Sequence, residues 1–202
     1  MKIERYKNII FDLCGVVVNY DLEADKRALN AAGLPTYSEC CNRPELCAVM
    51  SSFLNGLTPL EVFLPQIRPF CTPGVTDDVI LRAMDDVIGD IPAERLQHIT
   101  ELRRTHRLLL LSNICSYSWG GIVRKLKRLG YDPSDLFDDV FLSYRMQLAK
   151  PDPAIYEAVI RQSGINPRET IFFDDTNKNL KAARPFGIDG TLVTMNRLED
   201  CW

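Results

Sequence analysis

At 202 residues, with 46% apolar residues and a mean hydropathy of −0.09, the chain is long enough to bury a core, as one large domain or as a domain carrying an insertion. A formal charge of −3 and a pI near 5.5 give no electrostatic footprint for nucleic acid or an acidic membrane, and no apolar run approaches the roughly 20 residues that span a bilayer. Seven cysteines, an odd number without paired C-x-x-C spacing, argue against a disulfide framework or a structural zinc site. Met1–Lys7 lacks the apolar region of a signal peptide, so a reduced, cytoplasmic setting is expected.

The first element is the apolar run Ile9-Ile10-Phe11, which reads as a strand buried on both faces of a parallel sheet. It ends abruptly in Asp12, and Gly15 then permits a sharp turn. Residues 19–88 carry helical signals and no strand. A helix over Asp21–Ala32 stops at Gly33, and Pro44–Leu54 is apolar but irregular. Thr58-Pro59-Leu60-Glu61 has the form of a capping box, and Thr76-Asp77-Asp78 opens a helix running through Ile80, Leu81 and Met84 to Gly89. This stretch reads as a helical insertion lying as a cap over a site.

From Asp90 the pattern alternates between helix and strand. An amphipathic helix over Pro92–Thr105 precedes the strand Leu108–Leu111, which closes in Ser112-Asn113. A helix over Ser118–Leu129 carries Arg124, Lys125, Lys127 and Arg128, read as a solvated face complementing the helix dipole. Then come the strand Val140–Ser143, a helix started by Asp152-Pro153, the strand Thr170–Phe173 ending in Asp174-Asp175, a helix to Pro185, and a strand over Thr191–Thr194. The alternation implies right-handed βαβ units: an α/β, Rossmann-like, mainly parallel sheet with helices on both faces. The expected division is a core of residues 1–18 and 89–202 and a helical cap of residues 19–88.

Polar groups thus stand at the carboxyl ends of three strands, and such ends meet at one edge of a parallel sheet. Adjacent carboxylates repel, and a divalent cation would relieve them. Lys150, just before a helix start, can reach the same edge.

Together Ile9-Ile10-Phe11-Asp12, Leu111-Ser112-Asn113, Lys150-Pro151 and Ile171-Phe172-Phe173-Asp174-Asp175 resemble the four motifs of the haloacid dehalogenase superfamily, in order and spacing, over essentially the whole chain. The resemblance implies a Mg²⁺-dependent phosphohydrolase acting on small phosphorylated metabolites. Asp12 would be the nucleophile, forming an aspartyl-phosphate. Mg²⁺ would be held by Asp12, the backbone carbonyl of Cys14 and Asp175, with Asp174 assisting directly or through water. Ser112 and Asn113 would bind the phosphoryl oxygens, and Lys150 would steady nucleophile and phosphate.

One position departs from that pattern. Most family phosphatases carry an acid–base Asp two residues after the nucleophile, and here Cys14 stands there. A positioned acid–base group contributes about 10²–10⁴-fold in rate, so slow turnover or a preference for good leaving groups is expected. The same departure keeps two alternatives open: a non-catalytic binding or regulatory protein, and a metal-independent 2-haloacid dehalogenase. Cys115 is placed near Cys14 as a candidate redox or soft-metal pair. His98 falls off the apolar face of its helix and His106 precedes a strand at the end opposite the site, so histidine chemistry is not expected. Among the cap residues, Arg27, Arg43, Arg68 and Arg82 are candidates to meet a phosphate or sugar and equally to be solvated surface.

Overall fold

A computed structural model of the chain describes residues 3–36 and 39–201. Strands β1 (Asn8–Phe11), β2 (Arg107–Ser112), β3 (Asp139–Leu142), β4 (Thr170–Asp174) and β5 (Asp189–Leu192) form one parallel sheet in the order β3-β2-β1-β4-β5. The order runs outward from β1 in both directions, so the chain reverses its course between β1 and β4. That reversal opens a crevice at the strands' carboxyl ends.

The helices are α1 (Leu22–Ala32), α2 (Pro44–Leu54), α3 (Leu60–Ile67), α4 (Asp77–Asp85), α5 (Ala93–Leu102), α6 (Ser116–Arg128), α7 (Pro133–Leu136), α8 (Ser143–Met146), α9 (Pro153–Ser163) and α10 (Asn177–Ala183). On one face of the sheet, Ile9 and Phe11 of β1 pack with Leu96 of α5 and Ile122 of α6. On the other, Ile10 packs with Ile155 of α9 and Leu180 of α10. Successive side chains of a strand point to opposite faces, which is why the unbroken apolar run of β1 serves two cores.

Helices α1–α4 share a third core, in which Leu29, Met50, Phe53, Phe63 and Met84 are buried together and the Phe53 and Phe63 rings stack. The two segments joining these helices to the sheet run side by side. Asn19 N–H donates to the Asp90 carbonyl, Gly89 N–H to the Asn19 carbonyl and Asp21 N–H to the Val87 carbonyl.

Several local expectations shift. Pro44–Leu54, irregular by pattern, is a regular helix with Pro44 in its first turn. Thr58 does not cap α3: its hydroxyl bonds the Ser52 hydroxyl and Pro59 stands at the helix start. Lys125 is drawn out of the solvated face, because its ammonium donates to the Ile88 and Gly89 carbonyls and pins a connecting segment. The last strand lies two residues earlier than the pattern suggests.

Arg95 of α5 is buried and ties the loops around the strand ends together. Its guanidinium donates to the Val16 and Val17 carbonyls, Asn19 Oδ1, the Asn196 carbonyl and Glu199 Oε1. Replacing Arg95 by Met strands these acceptors and is expected to cost about 3 kcal/mol or more of stability in urea unfolding. Burial raises the Glu199 carboxyl, but the Arg95 hydrogen bond and charge carry it below the ordinary value. A depressed native value means the pair stabilises above the usual carboxylate range and fades as pH falls through that value. Glu199→Gln should therefore flatten the fall in urea midpoint below about pH 5; an unchanged decline would contradict this reading.

Candidate active site

The registers place the expected residues. Phe11 pairs with Phe173 and with Leu110, so Asp12 leaves β1 beside Asp174 at the end of β4, and Ser112 lies one residue farther along β2. Asp12 N–H donates to the Phe173 carbonyl at 2.8 Å, and Asp12 Oδ1 accepts from Leu13 N–H at 2.7 Å.

Lys150 sits between two of the carboxylates, with Nζ 2.8 Å from Asp12 Oδ1 and 2.8 Å from Asp174 Oδ2. Its backbone is gripped by Asn113: the Asn113 carboxamide oxygen accepts from Lys150 N–H at 2.8 Å, and the amide donates to the Lys150 carbonyl at 2.8 Å. The Asn113 amide reaches Asn55 Oδ1 at 3.0 Å as well. The Asn113 side chain therefore acts on Lys150 and α2. Ser112 is buried and its side chain lines the cavity above Asp12.

Asp174 is fully buried and its oxygens are taken up by Lys150, Thr176 N–H and the Asn179 amide. Asp175 is half-buried and keeps one oxygen toward the loop after β1. A Cβ added to Gly15 would lie 2.4 Å from Asp175 Oδ2, at a φ of +80° that already favours glycine. One oxygen from each of Asp12, Asp174 and Asp175 lies within 4.8 Å of the others. Burial pushes Asp12 up to about 7 against the opposing Lys150 ammonium, and burial with Asp174 raises Asp175. Burial would lower Lys150, but Asp12 and Asp174 outweigh it and raise the ammonium above its usual range. Hard oxygen donors from Asp12 and Asp175, whose proton affinities this setting raises, beside the buried Asp174, fit a divalent cation such as Mg²⁺.

Cys14 and Cys115 sit in different surroundings: Cys14 packs against the sheet core and Cys115 within the helical one. Burial, then Asp12, pushes the Cys14 thiol up, so it remains protonated near neutrality. Cys115 caps α6, accepting from Ser118 N–H and donating to the Ser118 hydroxyl, and packs with the helical core. Among the described residues, the three aspartates are the group suited to a metal, and no cysteine joins them. His98 and His106 stand outside both cavities at the strand ends, as do Arg27, Arg43, Arg68 and Arg82. Arg68 instead pairs with Asp77.

Sequence reading missed Asn179, Asn55, Tyr20 and Asn196. Asn179 carried a usable signal, since it falls within the first turn of the helix that follows Asp174-Asp175. Asn196 N–H donates to the Gly15 carbonyl, and its side chain exchanges hydrogen bonds with the Tyr20 backbone, joining the loops after β5 and β1.

A parallel sheet that brings three aspartates and a buried lysine to its reversal point is the architecture of one class of hydrolase. The chain belongs to the haloacid dehalogenase-like hydrolase family, whose profile matches residues 6–187. It is 26% identical over 185 residues to a D-ribitol-5-phosphate phosphatase of Bacteroides thetaiotaomicron, covering 91% of this chain and 89% of that one. It is 28% identical to a phosphorylated carbohydrates phosphatase of Thermotoga maritima, covering 95% and 87%. A crystal structure of a family enzyme from Bacteroides thetaiotaomicron, in complex with magnesium and inorganic phosphate, superposes with a TM-score of 0.84 at 30% identity over 95% of this chain and 96% of that one.

Gly15→Ala tests the packing of this loop. The side chain would both strain a left-handed backbone and displace Asp175, so activity should fall by about tenfold or more while stability falls by only about 1–2 kcal/mol. Full activity in the variant, measured beside its unfolding curve, would show that Asp175 does not need the space.

Proposed function

We propose that this protein is a Mg²⁺-dependent phosphatase of small phosphorylated metabolites, with residues 1–18 and 89–202 as the catalytic core and residues 19–88 as a cap over it. The observation that carries the reading is the convergence of Asp12, Asp175 and Lys150 on one cavity of about 300 Å³, with Asp174 buried behind Lys150. The phosphatase names of two relatives and the magnesium and phosphate in a structural neighbour support it.

Mg²⁺ would be held by Asp12, the Cys14 backbone carbonyl and Asp175, and when bound it supplies positive charge that offsets repulsion between a carboxylate and a phosphoryl group. Asp12 attacks phosphorus through a carboxylate oxygen, the bond from phosphorus to the ester oxygen breaks, and the leaving oxygen takes the bonding pair and a proton from water. Water then cleaves the aspartyl-phosphate and releases inorganic phosphate. Lys150 holds the Asp12 carboxylate in place and offers charge to the phosphoryl oxygens, which Ser112 also receives, while Asn113 fixes the Lys150 backbone. Asp174 acts mainly as the buried anchor of Lys150, since its oxygens are already occupied.

Cys14 replaces the usual proton donor with a thiol of raised pKa, a poor acid for an alkoxide. Turnover of alkyl phosphates should then be slow, and aryl or acyl phosphates should be favoured. The crowded acid cluster weighs against dehalogenation, which in this family needs no cation.

Phosphate release from acetyl phosphate is expected to require Mg²⁺, to stop with EDTA, and to drop by at least about 10³-fold in Asp12→Asn. Cys14→Asp should raise alkyl phosphate turnover by about 10²-fold. Metal-independent release, or release undiminished in Asp12→Asn, would overturn the assignment.

A further inference from the structure

Beside the acid cavity lies a larger one of about 360 Å³. The two share Cys14, Tyr20, Asn113 and Met195, so a molecule held at Asp12 extends into the larger space. Its walls are Leu29, Met50, Leu54 and Met84 from the helical layer, facing Ile114 from the loop after β2. Leu22 and Met195 also line it, and they are two of the six large apolar side chains that the described residues leave exposed, at 57% and 42%. Solvent-exposed apolar groups gathered at one cavity mark a binding surface.

Apart from Tyr20 and Asp25, the polar side chains of the wall largely bond one another. The Asn55 amide donates to the Ser51 hydroxyl, its oxygen accepts from Asn113, and the Ser118 hydroxyl accepts from Cys115. Among the described residues no lysine, arginine or histidine lines this cavity. Asp25 is its one carboxyl group, which burial, with Asp86 adding, pushes up to about 6. A second phosphate or a carboxylate would find no countercharge here. A polyol would surrender its water to a wall with few open partners, and unpaired hydroxyls are costly to bury.

We propose that the substrate is the monophosphate of a predominantly apolar alcohol or phenol, aryl and arylalkyl phosphates above the slower alkyl ones, whose leaving group occupies this cavity in place of a sugar or polyol. The proposal rests on the phosphatase reading above and names its substrate class. The Leu22 and Met195 side chains cover the apolar chain at the open side, while Met50, Leu54 and Met84 surround its far end.

The test uses the full chain with Mg²⁺, the series from 1-propyl to 1-hexyl phosphate, D-ribitol 5-phosphate, and acetyl phosphate. Pentyl phosphate and ribitol 5-phosphate share a five-carbon skeleton and differ in hydroxyl groups, so their ratio isolates the chemistry of the wall. The value of kcat/KM should rise about fourfold per methylene. Pentyl phosphate should exceed ribitol 5-phosphate by at least about 100-fold. The exposed pair changed together, Leu22→Ser and Met195→Ser, should shrink that ratio by about threefold or more. Calorimetric titration of Asp12→Asn with pentyl phosphate should show a negative heat-capacity change. Cleavage of acetyl phosphate with a flat alkyl series, or with ribitol 5-phosphate preferred, overturns this proposal alone. No cleavage of any compound, acetyl phosphate included, overturns the phosphatase reading and this proposal with it.

Discussion

The structure depends on one ammonium group held between two buried carboxylates. Bringing Asp12, Asp174 and Asp175 within reach of one another concentrates negative charge where water is scarce, and each ion removed from water costs several kcal/mol after relaxation. Lys150 offsets part of that cost by touching Asp12 and Asp174 at once, and Asn113 fixes its backbone from both sides. Asp174 in turn is fixed by Asn179 and the first turn of α10. The pair of Asp174 and Lys150 is thus a rigid support, and Asp12 and Asp175 are left to face the cavity. The raised proton affinity of Asp12 and Asp175 is the remaining imbalance, and it is the imbalance a divalent cation removes.

The sheet makes this arrangement possible and the loops make it stable. Running outward from β1 in both directions, the strand order sets β1 and β4 side by side at the reversal, so Asp12 and Asp174 become neighbours although 162 positions separate them in sequence. Arg95 and Asn196 then bind the loop after β1 to the loop after β5. The helical layer meets the sheet through two short paired segments near residues 19–21 and 87–90, to which Lys125 adds a further tie. Paired connections of this kind let the helical layer keep its own core, here built around Phe53 and Phe63.

Much of this was legible in the chain. Ile9-Ile10-Phe11 and Ile171-Phe172-Phe173 are apolar throughout because both faces of a central parallel strand are covered, and an acid closing such a run has little reason to be there except at a site. Gly33 ends α1 in the left-handed conformation that its type allows. β5 was harder, because an edge strand with mostly exposed residues, Asp189-Gly190-Thr191-Leu192, carries no apolar run to mark it. Thr58 and Lys125 were misread because their partners, Ser52 and the Ile88 carbonyl, are tertiary neighbours that local patterns do not encode. The role of the Asn113 amide was hidden for the same reason. Charge alone left Arg27, Arg43, Arg68 and Arg82 equally open as phosphate ligands or as solvated surface, and none of them lines either cavity at the strand ends.

The account turns on Asp12 being the atom source that phosphorus meets. Acid-quenching the protein during turnover of radiolabelled acetyl phosphate with Mg²⁺, followed by peptide mapping, tests this directly. The account predicts a covalent phosphoryl group on the peptide containing Asp12, absent from Asp12→Asn. Turnover without any covalent label, or a label on another residue, would contradict it.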